Sequence, residues 1–102
     1  MPAWDEETFG PAAAVRVVRD VEDAVAVANA SEYALGASVW AGDRDEGERV
    51  ALRLRGGAAF VNAMVKSDPR LPFGGVGVSG WGRELGREGM RSFTVTRSVW
   101  VE

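Results

Sequence analysis

The chain has 102 residues, room for one small core, and its 46% hydrophobic and 26% charged residues are ordinary for a globular protein. Twelve basic against fifteen acidic residues give a net charge of −3 with no basic cluster, which argues against nucleic acid as a partner. Cysteine and histidine are both absent, which excludes disulfides and most transition-metal sites and removes the usual nucleophile and the usual general base near neutral pH.

The opening stretch MPAWDEETFG is acidic and has no apolar leader region. No apolar run approaches the roughly 20 residues that span a bilayer. A cytoplasmic protein with no membrane partner is therefore expected. Ala12–Val18, AAAVRVV, is valine-rich with one polar interruption and predicts a buried strand. Asp20 suits an N-cap, and Val21, Ala24, Val25 and Ala28 fall on one helical stripe, predicting a helix to about Ala30. Leu35–Trp40, LGASVW, is the second strand. Asp43 followed by Glu46 resembles a capping box. Gly47, Val50, Ala51 and Leu54 then form a second helical stripe, stopped by Gly56 and Gly57. Ala58–Ala63 is the third strand. Strand, helix, strand, helix, strand predicts an α/β fold: a parallel sheet with crossover helices.

Beyond Asn62 the texture changes. Residues 64–82 carry Pro69, Pro72 and five glycines, a long irregular loop of the kind that usually serves function. A short helix is expected within Gly82–Phe93, and Phe93–Val101, FTVTRSVWV, alternates in part and predicts a terminal strand. The loop contains a literal G-x-G-x-x-G at Gly75, Gly77 and Gly80. A dinucleotide fingerprint needs a strand before it, a helix opening from it and an acidic residue about 20 positions on. Here DPRLPF precedes it and Trp100 stands at the acidic position, so the glycines are read as turn residues.

Five stretches in order, EETFGP (Glu6–Pro11), ANASEYALGASVW (Ala28–Trp40), GAAFVN (Gly57–Asn62), LPFGGVGVSGWGRELG (Leu71–Gly86) and VWV (Val99–Val101), resemble the C-terminal part of the NAD(P)-dependent aldehyde dehydrogenase superfamily. The resemblance covers essentially the whole chain. Within it, NAMVKSDPRLPFGG is similar to the corresponding loop of succinate-semialdehyde dehydrogenases. It implies residues 1–92 as the C-terminal part of the catalytic domain and 93–102 as a terminal strand through which subunits form a homo-oligomer. It also implies that the catalytic cysteine and glutamate lie outside this chain, in agreement with the missing cysteine. No catalytic residue is assigned here, and the chain alone is expected to be inactive. NAD or NADP would be held mainly by a Rossmann domain that the chain lacks.

Residue by residue, the resemblance implies that Glu7 accepts hydrogen bonds from the nicotinamide ribose hydroxyls, which an acceptor-only carboxylate suits. Read without it, Glu7 belongs to a solvated acidic surface beside Asp5 and Glu6. Phe9 would pack near the nicotinamide ring, or else anchor a core. Phe73 would line the substrate tunnel, or else pack the loop. Ser67 would bind the distal carboxylate of succinate semialdehyde, or else be a turn residue. Arg70 is a local alternative for that carboxylate, or an exposed arginine. Asn62 is expected to satisfy backbone groups at a strand end, and Arg83 and Glu84 to make structural contacts. Gly77-Val78 replaces a spacer that in related sequences carries a basic residue. Two other readings remain: a stand-alone binding or assembly module working through its terminal strand, and a nucleotide-binding regulatory domain resting on the glycine pattern alone.

Overall fold

The fold is built on one strand–helix–strand unit with a preceding helix, and long irregular segments flank it. A computed structural model describes residues 2–102. In chain order the elements are α1 (Pro2–Asp5), α2 (Val21–Asn29), β1 (Gly36–Val39), α3 (Arg44–Ala51), β2 (Ala58–Val61), a 3-10 turn (Gly77–Ser79) and α4 (Gly86–Arg91).

Local chemistry accounts for the central elements. Asp20 caps α2, its carboxylate accepting from the Asp23 amide at 2.8 Å. Asp43 caps α3 in the same way, accepting from the Glu46 amide at 2.7 Å. The strands β1 and β2 pair in parallel, with Gly36 opposite Ala58 and Val39 opposite Val61. The helix α3 connects the two parallel strands and packs against both of them. Gly47 lets it come close: a Cβ there would stand 2.7 Å from Val61 Cγ1 and 3.3 Å from the Ala41 Cβ. The roughly 1 kcal/mol that glycine costs inside a helix is offset by that approach. The most buried apolar side chains are Val25 and Ala51, each 8% exposed.

Two asparagines fasten the unit. Asn29 donates from Nδ2 to the Arg53 carbonyl at 2.9 Å and accepts the Arg55 amide at 2.7 Å. Asn62, at φ 51°, accepts the Ala41 amide at 2.8 Å and donates to the Ala41 carbonyl at 2.9 Å. The expectation that Asn62 serves strand-end backbone groups therefore holds, and the left-handed conformation suits asparagine.

Several expectations fail for physical reasons. Ala12–Val18 is not a strand: it is irregular, and exposed except for the half-buried Val18, because no segment among the described residues supplies a ladder for it. The sheet therefore has two strands instead of three. Phe93–Val101 likewise forms no strand within the single chain. The helix α3 ends at Ala51, short of Gly56, with Leu52 as its C-cap and the Leu54 amide bonded to the Ala51 carbonyl at 3.2 Å. The strands are also shorter than Leu35–Trp40 and Ala58–Ala63, and α1 is an element the sequence did not announce. The flanks make the molecule long: its radius of gyration is 17.2 Å, against about 13 Å for a compact chain of this size.

Candidate functional site

After Asn62 the chain leaves β2 and folds back over it as a hydrogen-bonded loop. Asp68 forms its first turn: Oδ1 accepts the Arg70 amide at 2.9 Å, and the Asp68 carbonyl accepts the Leu71 amide at 3.0 Å. Arg70 closes a fork on the same carboxylate, Nε to Oδ1 at 2.9 Å and Nη2 to Oδ2 at 2.7 Å. The Gly86 amide bonds the Pro69 carbonyl at 3.1 Å, and Phe73 and Glu84 exchange two backbone bonds of 2.8 Å. Arg83 donates from Nη1 to the carbonyls of Gly75 at 2.9 Å and Gly82 at 2.6 Å, and so makes the structural contacts expected of it.

The loop seats on the sheet through several contacts, among them Val65 against Gly36 of β1. Gly57, at the entry to β2, meets Gly74 backbone to backbone, and a Cβ at Gly57 would fall on the Gly74 carbonyl. Ser79 accepts the Ala34 amide at 2.8 Å, while the Ala34 carbonyl accepts the amides of Gly57 at 3.1 Å and Val76 at 3.2 Å. The glycine pattern thus makes turns: Gly77 has φ +60° and Gly80 φ +118°, and only the three-residue 3-10 turn stands where a dinucleotide fold would open a helix. Gly75 is buried against Ser79.

The four sequence-predicted site residues do not share one cleft. Glu7 lines an open cleft of about 620 Å³ together with Trp4, Tyr33, Leu35, Val78 and Ser79. Its carboxylate has no hydrogen-bond or ion-pair partner among the described residues. Phe9 lies outside that cleft and is 92% exposed. Phe73 is half-buried and forms part of a cleft of about 400 Å³ over β2, with Phe60, Leu71, Pro72, Lys66 and Asp68. Ser67 is exposed and does not line that cleft, although both its neighbours do.

Electrostatics follow the hydrogen bonds. The Arg70 guanidinium, and then the Arg70 amide, hold the Asp68 carboxyl well below the usual carboxylate range. Asp68 in return raises the Arg70 guanidinium. Arg70 is therefore occupied and is not a free carboxylate receptor. On α2, the Arg19 side chain and amide lower the Asp23 carboxyl.

As for a cofactor, the described residues contain no cluster of His, Cys, Asp or Glu able to hold a metal. The free Glu7 carboxylate on an open cleft fits a pair of vicinal hydroxyls. No helix of the glycine loop offers a pyrophosphate its N-terminus. Glu7 thus offers an acceptor-only group on that cleft, while Phe9 stands outside it. Sequence reading missed Asp68, whose signal was the Asp-Pro turn dipeptide. It also missed Gly57 and Ser79, whose roles depend on contacts with residues far away along the chain.

Comparison with known proteins completes the picture. The model of the "Aldehyde dehydrogenase family" matches residues 1–99. A succinate-semialdehyde dehydrogenase [NADP(+)] of Deinococcus radiodurans is 52% identical over 99 residues, 97% of this chain and 21% of that protein. A probable succinate-semialdehyde dehydrogenase [NADP(+)] of Synechocystis sp. is 43% identical over 100 residues, 98% of this chain and 22% of that protein. The crystal structure of succinic semialdehyde dehydrogenase from Streptococcus pyogenes, in complex with NADP+, superposes with a TM-score of 0.92 at 36% identity, covering 98% of this chain and 22% of that one. The chain thus spans about a fifth of the length of the relatives it matches.

Proposed function

The chain belongs to the aldehyde dehydrogenase family, and from that premise we propose that it is the C-terminal portion of an NAD(P)-dependent oxidoreductase that oxidises succinate semialdehyde to the acid. The observation that carries the reading is the match over residues 1–99 to proteins of which the chain spans a fifth, in a sequence without any cysteine. The chain supplies walls and binding groups, and the reactive thiol is supplied elsewhere. Residues 1–92 form part of the catalytic domain and 93–102 pair with a neighbouring subunit to make a homo-oligomer. The working compartment is the cytoplasm.

Within this reading Glu7 accepts from the nicotinamide ribose hydroxyls of NAD or NADP, with Phe9 against the ring; the bound cofactor supplies the hydride acceptor. Phe73 lines the path of the aldehyde, and the Ser67 hydroxyl donates to its distal carboxylate. The free carboxylate of Glu7 on an open cleft supports its role, and the place of Phe73 in a second cleft supports that of Phe73; the roles of Phe9 and Ser67 rest on the family match.

The test joins the chain to the preceding four-fifths of the 52%-identical relative. The joined protein is expected to reduce NAD or NADP with succinate semialdehyde, and the chain by itself is not. Turnover by the chain alone that survives re-purification, or a folded joined protein that oxidises no aldehyde, would contradict the reading.

A further inference from the structure

The basic groups around the loop 66–72 are not equivalent. Arg70 is committed to both oxygens of Asp68. Arg83 is committed to the carbonyls of Gly75 and Gly82. Lys66 is the only lysine of the chain. It forms no salt bridge among the described residues and lines the cleft of about 400 Å³ that Phe60, Leu71, Pro72 and Phe73 wall with apolar surface. Asp68 also lines that cleft, but Arg70 balances its charge. Lys66, Asp68 and Arg70 together therefore carry one net positive charge at a cleft with largely apolar walls, and Lys66 is the cation of the three that is held in no ion pair among the described residues.

We propose that Lys66 is a specificity-determining residue whose ammonium faces the anionic far end of an aldehyde substrate, with the Asp68–Arg70 pair preventing repulsion by the neighbouring carboxylate. This rests on the oxidoreductase reading above and adds to it. A carboxylate entering an apolar cleft loses hydration, and that loss is tolerable only against a charged or hydrogen-bonding partner. The Ser67 hydroxyl is one neutral donor, and it lies outside the cleft lining in this chain. Lysine chemistry fits this role, because the flexible stem lies along apolar walls while the compact charge reaches outward. The same chemistry disfavours uncharged aldehydes only by omission, so discrimination is expected in binding and not in the chemical step.

The test uses the joined enzyme described above, with succinate semialdehyde and butanal as paired substrates. Lys66→Met is expected to raise KM for succinate semialdehyde about tenfold with kcat nearly unchanged, while KM for butanal moves less than about twofold. Lys66→Arg should restore most of the loss, since it keeps the charge. The succinate semialdehyde KM of the parent enzyme should rise with salt, and that of Lys66→Met should respond much less. Equal loss for both aldehydes, or no change for the charged one, overturns the role of Lys66 while butanal turnover leaves the family activity standing. If the parent joined enzyme oxidises neither aldehyde, the functional reading fails and the role of Lys66 fails with it.

Discussion

Residues 20–62 and the two flanks, 12–18 and 93–101, both carry apolar runs but meet opposite fates. In the first region every element closes on something nearby in sequence: caps at Asp20 and Asp43, a parallel register of four pairs, and clamps at Asn29 and Asn62. In the flanks, Val15, Val17, Val95 and Trp100 stand exposed on backbone with no ladder. Apolar alternation creates the capacity to be a strand, and a partner within reach realises it. The difference is sharpened, or broken, by substitutions on each side of it.

The largest effect is expected at Gly57. A methyl group there collides with the Gly74 carbonyl, backbone against backbone, so no side chain can give way. Gly57→Ala should cost about 3 kcal/mol and release the loop from the sheet. Urea melts followed by circular dichroism would measure it, and an unchanged midpoint would mean that the loop is not seated there. Asn62→Ala removes both bonds to Ala41 and leaves alanine at positive φ, a loss of about 2 kcal/mol. Asn62→Gly should recover about half of that, because it retains the conformation and loses only the bonds. The same melts separate the two contributions.

Removing a cap is milder. Asp43→Ala should destabilise by about 1 kcal/mol and Asp43→Asn by very little, because either side-chain oxygen can accept the Glu46 amide. Acid has a smaller effect still. Asp68 and Asp23 have lowered folded-state pKa values, so what their pairs contribute is fully present above the ordinary carboxylate range, near 4. It is lost only as pH falls through the depressed values. A pH titration of the Arg70 side-chain resonance should therefore be flat from neutrality to about pH 4 and move below it. In Asp68→Asn that movement should vanish. Smallest of all, Val17→Ser on the flank should shift the melt by less than about 0.5 kcal/mol. A larger loss would place Ala12–Val18 in the core after all.

Much of the central unit was legible in the sequence because its signals are local: capping aspartates at Asp20 and Asp43, apolar stripes at helical spacing, and short apolar runs at Leu35–Trp40 and Ala58–Ala63. The two caps and the parallel pairing follow directly from them. The early end of α3 was not legible, since Gly56 and Gly57 are placed for β2 and the loop and not for the helix end. The candidate site was readable as a set of residues through family resemblance, but its geometry was not. The occupation of Arg70 by Asp68 and the place of Lys66 in the cleft come from the way the loop folds back over β2. Residue spacing does not encode that path.

The contrast between core and flanks, and with it the view of this chain as one self-closing unit carrying segments made for other partners, is tested most directly by amide hydrogen exchange on the dilute chain. The account predicts slowed exchange at Asn62, Gly57 and the β1–β2 ladder, whose amides are hydrogen-bonded, and unprotected exchange at Val15, Val17, Val95 and Val99. Protection spread evenly over both regions, or absent from the ladder, would contradict it.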